Sequence, residues 1–467
     1  MTRILNGQDL IDAGARSGAW FKAALAAGDA ALGRGASFEE ALALALSFQP
    51  PLPSTLPLSA PGELPFHVNL YPDTPEEEEN AAAVKRAMRT LMRTPMVRAG
   101  AVMPDACPTG VEGSIPVGGV VLSEAIHPGM HSADVCCSVM MTIFREVDPA
   151  PLLEAIQAVT HFGPGGRAPG DQIQPEAGLL ARFAENAFLK DQTRIATEHF
   201  GTQGDGNHFA YVGRLASSGE TVLVTHHGSR GPGARLFARG MEAAERHRQR
   251  LSPETLPVNA WIPPDTREGD AYWEALQILR AWTKANHEIL HERAAARVGA
   301  QRVWRFWNEH NFVFRRSDGL FAHAKGATPA FDGWAEDATE LTLIPLNMAQ
   351  PILIARGRNA PNGLGFSPHG AGRNLSRTAH RRKMEGRAPE EVFAEETRGI
   401  DARFFSGAID LSELPSAYKD VGSLRRHIEA YDLAEIVDQV LPYGCVMAGD
   451  AGEPFWRHKK KAEPVLA

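Results

Sequence analysis

The 467-residue chain predicts an α+β fold, and three observations carry that expectation. From Met96 onward, short β-rich runs at 117–122, 139–144, 222–225 and 341–344 are separated by Gly-rich loops. Helical periodicity occupies longer stretches at about 150–158, 177–197, 232–250, 268–298 and 423–440. The two kinds of segment do not alternate regularly, as a doubly wound parallel sheet would require.

The elements follow in chain order. Residues 1–48 read as a helical N-terminal extension, rich in Ala and Leu at 23–27 and 41–46. Ser37 stands three residues before Glu40 ahead of an apolar run, a capping-box pattern. Residues 49–73 read as a linker, because Pro50, Pro51, Pro53, Pro57, Pro61 and Pro65 are too many for a helix or a central strand. A helix is expected from Thr74 to about Arg93. Thr74 suits the N-cap, Pro75 the first helical position, and Glu76 to Glu79 the positive end of the helix dipole. Residues 74–450 form the expected catalytic domain. Residues 451–467 form a basic tail whose Arg457-His458-Lys459-Lys460-Lys461 is read as a solvated charge run, with RNA contact as the alternative. No internal repeat is found.

Composition narrows the function classes. With 43% hydrophobic and 22% charged residues, the chain is neither disordered nor collagen-like. No stretch reaches the roughly 18 apolar residues of a membrane helix, and residues 1–9 lack the apolar core of a secretory signal. Four cysteines, two of them adjacent, do not make a disulfide framework, so a cytoplasmic location without membrane association is expected. The net charge of −8 means that nucleic acid would have to be met by a local basic patch.

Five segments are rich in groups that do chemistry. In the run 131–138, Asp134 and Cys137 are three apart and could converge on one ion, although a buried Cys is also an ordinary small apolar residue. In 201–209, glycines precede Asn207 and His208, either as a ligand loop or as a turn entering a strand. In 222–233, a buried-type strand delivers His226 and His227 onto a Gly loop with Arg230, a residue able to bind phosphate bidentately. Strand alternation lets only one of the two histidines face a shared site. His310 and Asn311 lie after Trp304, Phe306 and Trp307, where a core histidine is the alternative. The fifth segment is Ser367-Pro368-His369-Gly370-Ala371-Gly372-Arg373, before a basic helical pattern from Ser376 to Arg387. Small residues after His369 free its imidazole and the following amides, which suits a phosphate nest and nucleophilic attack on phosphorus. Arg373, Arg377, Arg381, Arg382 and Lys383 would suit a polyanion, or form a solvated basic helix.

In this order the segments resemble the RtcB family of RNA ligases, over about residues 97–449. The matching motifs are Met103-Pro104-Asp105, Asp134-Val135-Cys136-Cys137, Gly204-Asp205-Gly206-Asn207-His208-Phe209, His226-His227-Gly228-Ser229-Arg230-Gly231, His310-Asn311, Lys325-Gly326-Ala327-Thr328, His369-Gly370-Ala371-Gly372-Arg373 and Ala417-Tyr418-Lys419-Asp420. The resemblance implies mixed or antiparallel sheets with peripheral helices around a central metal site. It implies a Mn²⁺- and GTP-dependent ligase that joins an RNA 3′-phosphate or 2′,3′-cyclic phosphate to a 5′-hydroxyl, in RNA repair or tRNA splicing. Two Mn²⁺ are implied, with Cys137 bridging, Asp134 and His208 completing one ligand set, and His226 and His310 the other. His369 is implied as the guanylylated nucleophile. Asn207, Asn311, Gly370, Ala371, Gly372, Arg373 and Tyr418 are implied as nucleotide contacts, with Asp105 and Arg230 as supporting residues. An archease-type activator is left open.

The chain departs from the family pattern near the nucleotide. Ala448 stands in place of a terminal lysine, and Ala210-Tyr211 stand where an acidic residue is usual. Ala355-Arg356-Gly357-Arg358 replaces a Pro-Gly-Ser segment, which makes Arg356 and Arg358 candidates for a phosphate contact. Cys107 and Ser138 replace a His and a Gly. These departures put GTP selectivity in doubt more than metal binding. The alternatives are a non-ligating RNA-end-binding paralogue and a histidine nucleotidylyltransferase with altered nucleotide specificity.

Overall fold

The computed structural model describes residues 4–15, 20–49, 55–331, 333–335 and 337–450. The basic tail at 451–467 and residues 50–54 of the Pro-rich stretch therefore lie outside the described residues. The chain divides into two units, Met1–Thr55 and Leu56–Ala467.

The first unit contains helices Gly7–Asp12, Phe21–Gly33 and Phe38–Leu46. The expected capping box is present: the Ser37 hydroxyl accepts from Glu40 N at 3.2 Å, and the Glu40 carboxylate accepts from Ser37 N at 2.8 Å. Leu5, Leu10, Ala24 and Ala45 form its small core.

In the second unit, helix Pro75–Leu91 is capped by Thr74 as the sequence predicts. The strands are β1 (Phe66–Val68), β2 (Val97–Cys107), β3 (Val117–Ser123), β4 (Ser138–Arg145), β5 (Phe209–Leu215), β6 (Thr221–His227), β7 (Gln301–Glu309), β8 (Asn311–Arg315), β9 (Phe321–Lys325), β10 (Ala327–Pro329), β11 (Leu341–Pro345), β12 (Ile352–Gly357), β13 (Phe366–Pro368), β14 (Asp401–Phe404) and β15 (Ala434–Met447). A five-stranded sheet runs β1-β2-β3-β9-β8. A larger sheet runs β11-β12-β15-β5-β6-β4-β7, with β14 also on β15. β1 pairs with β2, and β14 with β15, in parallel; the other pairs are antiparallel. The outcome is the α+β architecture expected.

The largest core joins the two sheets. Met103, Val120 and Leu122 of the smaller sheet share it with Met140 and Trp307 of the larger one, and helix Arg267–Val298 contributes Tyr272, Leu276, Leu279 and Trp282. The larger sheet nearly closes on itself. The Asn308 amide on β7 donates to Leu341 O at 2.8 Å and accepts from Leu343 N at 3.0 Å, so one side chain imitates a ladder rung to β11.

Two helical expectations fail in part. The pattern at 177–197 is two helices, Ala177–Glu185 and Thr193–Glu198, because the Asn186 side chain ends the first by accepting from Phe188 N. The pattern at 423–440 ends as helix Val421–Ala430, after which the chain enters β15. Pairing to β12 on one edge and β5 on the other outweighs the local helical spacing. Tyr443 is an extra residue in β15, between the pairs Pro442↔Gly213 and Gly444↔Val212. Among the described residues, no helix is long and apolar enough to cross a membrane.

Candidate functional site

The expected ligands and nucleophile converge at the strand ends between the two sheets. Asp134, Cys136 and Cys137 lie on a tight turn before β4, where Cys137 N donates to Asp134 O. Cys136 takes a left-handed φ of 58°, so the segment is not extended. The turn, rather than strand alternation, sends the Cys136 thiol toward Thr283 and that of Cys137 toward the histidines.

The donor atoms form a continuous row. His208 Nε2 is 3.0 Å from Asp134 Oδ2 and 3.5 Å from Cys137 Sγ. His226 Nε2 is 3.2 Å from Cys137 Sγ and 3.2 Å from His310 Nε2. The donor atoms of Cys137, His208 and His226 all lie within 4.8 Å of one another. Backbone acceptors set the tautomers: His208 Nδ1 donates to Gln203 O at 2.6 Å, and His226 Nδ1 to Asn207 O at 3.1 Å. Their Nε2 lone pairs therefore point at a carboxylate, a sulfur and another imidazole. Burial holds His226 down to about 3 and His310 well below its usual range, so ring protons do not relieve this crowding. Burial and then the Asp134 charge push the Cys137 thiol well above its usual value. An anion, a thiol and three lone pairs aimed at one another fit a cationic metal, which would also draw off the thiol proton.

His226 and His227 behave as strand alternation requires. His226 faces the donor row, whereas His227 turns to the other face and stacks on His287 with ring centres 3.5 Å apart. Behind the sheet, Ser138 and Thr225 bond His287 at 3.1 and 2.6 Å, and Thr225 and Thr142 bond His291 at 2.8 and 2.7 Å. These contacts tie β4 and β6 to helix Arg267–Val298.

His369 follows β13 and its ring centre lies 4.7 Å from that of His310. The buried Asp105 Oδ2 accepts from His369 Nδ1 at 2.6 Å, His369 N at 3.1 Å and Gly370 N at 3.3 Å. His369 is thus fixed as the tautomer whose Nε2 carries the lone pair. Gly372 has φ 73°, and a Cβ there would stand 2.1 Å from Asp105 O, so only glycine fits.

A cleft of about 750 Å³ opens over this row. Asp134, Cys137, Asn207, His226, His310, Asn311 and His369 line it, as do Gly370, Ala371, Gly372, Arg373 and Tyr418. The side chain of Asn311 is committed to the backbone, accepting from Gly326 N at 2.8 Å and donating to Asp134 O at 3.3 Å. Arg373 lies over the Tyr418 ring at 4.5 Å. Arg230 does not line the cleft. It has φ 55° and donates to Thr202 Oγ1 at 3.1 Å and Gly163 O at 2.8 Å, so it ties down the glycine loop rather than presenting a free fork to phosphate. Arg356 and Arg358 also lie off the cleft wall, and Arg358 pairs with Glu435 at 3.2 Å.

Two cleft-side residues were not singled out from the sequence. Glu413 is almost fully buried; it accepts from Arg373 at 2.5 Å, Arg377 at 2.7 Å and the Tyr418 hydroxyl at 2.6 Å. Nothing in its surroundings marks it, since Leu411-Ser412-Glu413-Leu414 lacks the Gly, His and Asn texture of the other segments. Lys325, present in the matched motifs without an assigned role, lines the cleft, and burial lowers its ammonium to about 8.

Comparison with known proteins follows the same direction. The family model described as "tRNA-splicing ligase RtcB" matches residues 165–448, more than half of the chain. A tRNA-splicing ligase RtcB from Aeropyrum pernix is 26% identical over 429 residues, covering 73% of this chain and 86% of that protein. One from Archaeoglobus fulgidus is 28% identical over 309 residues, covering 58% of this chain and 64% of that protein, just under two thirds of its length. An RNA-splicing ligase RtcB from Escherichia coli is 25% identical over 382 residues, covering 74% and 89%.

Proposed function

The chain belongs to the RtcB family, and from that premise we propose that it is an RNA ligase joining 3′-phosphate or 2′,3′-cyclic phosphate ends to 5′-hydroxyl ends through a nucleotide carried on His369. The observation that supports the reading most is the unbroken row Asp134, His208, Cys137, His226, His310 and His369, with Asp105 behind the last.

His369 Nε2, kept unprotonated by the Nδ1–H donated to Asp105, attacks the α-phosphorus of GTP. A phosphorus–nitrogen bond forms and pyrophosphate leaves. A 2′,3′-cyclic end is first opened by water, which breaks the bond from phosphorus to O2′ and leaves a 3′-phosphate; an oxygen of the 3′-phosphate then takes GMP from His369, breaking the phosphorus–nitrogen bond and making GMP a leaving group on the RNA end. Attack by the 5′-hydroxyl releases GMP and closes the phosphodiester. Asp134, Cys137, His208, His226 and His310 would hold the two Mn²⁺ that the family implies. Such ions neutralise phosphate oxygens and orient the leaving group. Sulfur and imidazole donors also accept Zn²⁺ or Co²⁺, so the preference for Mn²⁺ comes from the family. Asn207, the 370–372 amides, Arg373 and Tyr418 contact the nucleotide from the cleft wall, and Asn311 keeps the loops around it in place. The enzyme acts in the cytoplasm in RNA repair or tRNA splicing.

The test is incubation with Mn²⁺ and α-labelled GTP, followed by addition of RNA with the two end types, with and without an archease-type activator. Label stable to alkali and lost in acid, absent from His369→Ala, together with joined RNA, is the expected result. Label without joining would point to a nucleotidylyltransferase with another acceptor. Absence of both, with RNA ends still bound, would point to a binding protein.

A further inference from the structure

On the face of the larger sheet that turns away from the cleft, a line of hydrogen bonds ends at the turn carrying Cys137. Apart from Arg305 its side chains are fully buried, and its direction can be read from both ends. At the outer end Arg305 Nε stands 2.9 Å from Thr142 Oγ1, and a guanidinium can only donate. The Thr142 hydroxyl is left to donate to His291 Nδ1 at 2.7 Å. A neutral imidazole carries one ring proton. His291 Nε2 therefore donates to Thr225 Oγ1 at 2.8 Å, and the Thr225 hydroxyl donates to His287 Nδ1 at 2.6 Å. His287 Nε2 then donates to Ser138 Oγ at 3.1 Å, and Ser138 donates to Cys136 O at 3.1 Å. The inner end gives the same order. Besides His287, Ser138 Oγ reaches two backbone carbonyls, Cys136 O and, at 3.3 Å, His227 O. Its proton goes to a carbonyl, so His287 Nε2 must donate to it. Burial holds both histidines well below their usual range, which keeps them in the singly protonated form that the line requires.

We propose that Ser138 and His287 are positioning residues for the metal ligands: through this line they fix the Cys137 turn relative to His226, and with it the affinity of the row for its ions. The inference rests on the reading that Asp134, Cys137, His208, His226 and His310 hold metal. Ser138 follows Cys137 directly, and its hydroxyl closes onto the carbonyl that precedes Cys137. Thr225 precedes His226, and His227, which follows it, lies stacked on His287. One imidazole therefore grips the positions beside both ligands, whose Sγ and Nε2 stand 3.2 Å apart. The turn needs that grip. Cys136 holds a left-handed φ of 58°, and a residue other than glycine stays there only where its surroundings over-determine it. The same helix also backs the other ligand segments. Asn286 accepts from Gly201 N and donates to Thr202 O at 2.9 Å, just ahead of Gln203, whose carbonyl orients His208. Arg280 pairs with the buried Glu309 beside His310. Ser138 is moreover a point where this chain leaves the family pattern, and the glycine usual there would have no hydroxyl to join His287 to the turn.

The experiment uses the whole chain stripped of metal, with Mn²⁺ or Co²⁺ alone as the probe. Competition with a chelator gives the affinity for each ion, and the thiolate-to-Co²⁺ absorption band reports how the ligands are arranged. Ser138→Ala and His287→Ala should each weaken both ions by about 10–100-fold, the usual cost of losing a group behind a ligand, and should alter the Co²⁺ band. His287→Gln, whose amide can accept from Thr225 and donate to Ser138, should bind at least ~10-fold more tightly than His287→Ala. A merely structural role would lower the melting temperature of the metal-free protein yet leave the affinity and the Co²⁺ band of the folded protein unchanged. That result overturns the proposal and leaves the ligand reading standing. Equal weakening in His287→Gln and His287→Ala also overturns it, because packing against His227 would then matter rather than the order of the hydrogen bonds. Folded wild-type protein that takes up neither ion overturns the ligand reading and this inference together. If His287→Ala does not fold, Ser138→Ala, which removes a single oxygen, carries the same expectation.

Discussion

Replacing Asp105 by Asn isolates what the buried carboxylate does for His369. One oxygen, Oδ2, receives the His369 ring N–H and two backbone N–H groups, while Oδ1 is buried without a partner. An amide oxygen can still accept these bonds, so the loop need not collapse. The charge is lost, and with it the extra strength of a bond to a charged acceptor, about 1.5–3 kcal/mol against roughly 1 for a neutral pair. The amide nitrogen also has to occupy the site of Oδ1, where no acceptor waits. A net loss of about 2–3 kcal/mol in stabilising the developing imidazolium corresponds to a roughly 30–150-fold slower transfer. The assay is single-turnover labelling of His369 at saturating nucleotide, with Mn²⁺ content measured in parallel. Labelling within threefold of wild type would refute the role of the carboxylate. A parallel loss of metal would show that Asp105 supports the ligand row rather than the nucleophile.

Other outcomes follow from the same geometry. Cys137→Ser should empty the metal site, because a hydroxyl resists deprotonation, while Cys136→Ser should keep metal content and lose only about 1–2 kcal/mol by burying a hydroxyl among apolar neighbours; metal analysis and denaturant melts separate the two. Metal uptake should release a proton, because burial and the Asp134 charge keep the Cys137 thiol protonated without a cation, so affinity should rise with pH, up to about tenfold per unit for one proton. Calorimetry in two buffers of different ionisation enthalpy reads that proton, and none released would mean a preformed thiolate. Asn308→Ala should destabilise by about 2–4 kcal/mol, because Leu341 O and Leu343 N both lose a partner, as measured by urea unfolding. Gly372→Ala should abolish His369 labelling but not metal binding, since a Cβ 2.1 Å from Asp105 O must push the 369–373 loop away.

Much of the site was legible because its chemistry is concentrated in short runs. Two-residue alternation correctly parted His226 from His227, and the Gly-rich texture around His208 and His369 marked loops that border the cleft. The parting of Cys136 from Cys137 has another origin, a left-handed residue that is not visible in the letters Val135-Cys136-Cys137-Ser138. Glu413 was invisible for a different reason: its importance lies in the arginines it gathers from distant segments, not in its neighbours. At 434–440 the spacing of Ile436, Val437 and Val440 suits a helix, and only pairing partners 77 to 88 residues away in β12 and over 200 away in β5 make it a strand. Ala448 was read as a lost contact in the cleft, but its place on the far face depends on register, which one strand alone does not reveal.

The extra residue at Tyr443 has a consequence for how this protein can diverge. Before it, β15 is in step with β5 by one count, and after it by another. Were the bulge straightened with Tyr443 retained, the stretch of β15 beyond it would slip by one residue against β5, and Val446 and Ala448 would face inward where Cys445 and Met447 now line the cleft. The chemistry of the wall is thus encoded partly as a phase rather than as an alphabet. Relatives aligned without a gap at this point could be compared letter by letter and yet present opposite faces to whatever lies in the cleft.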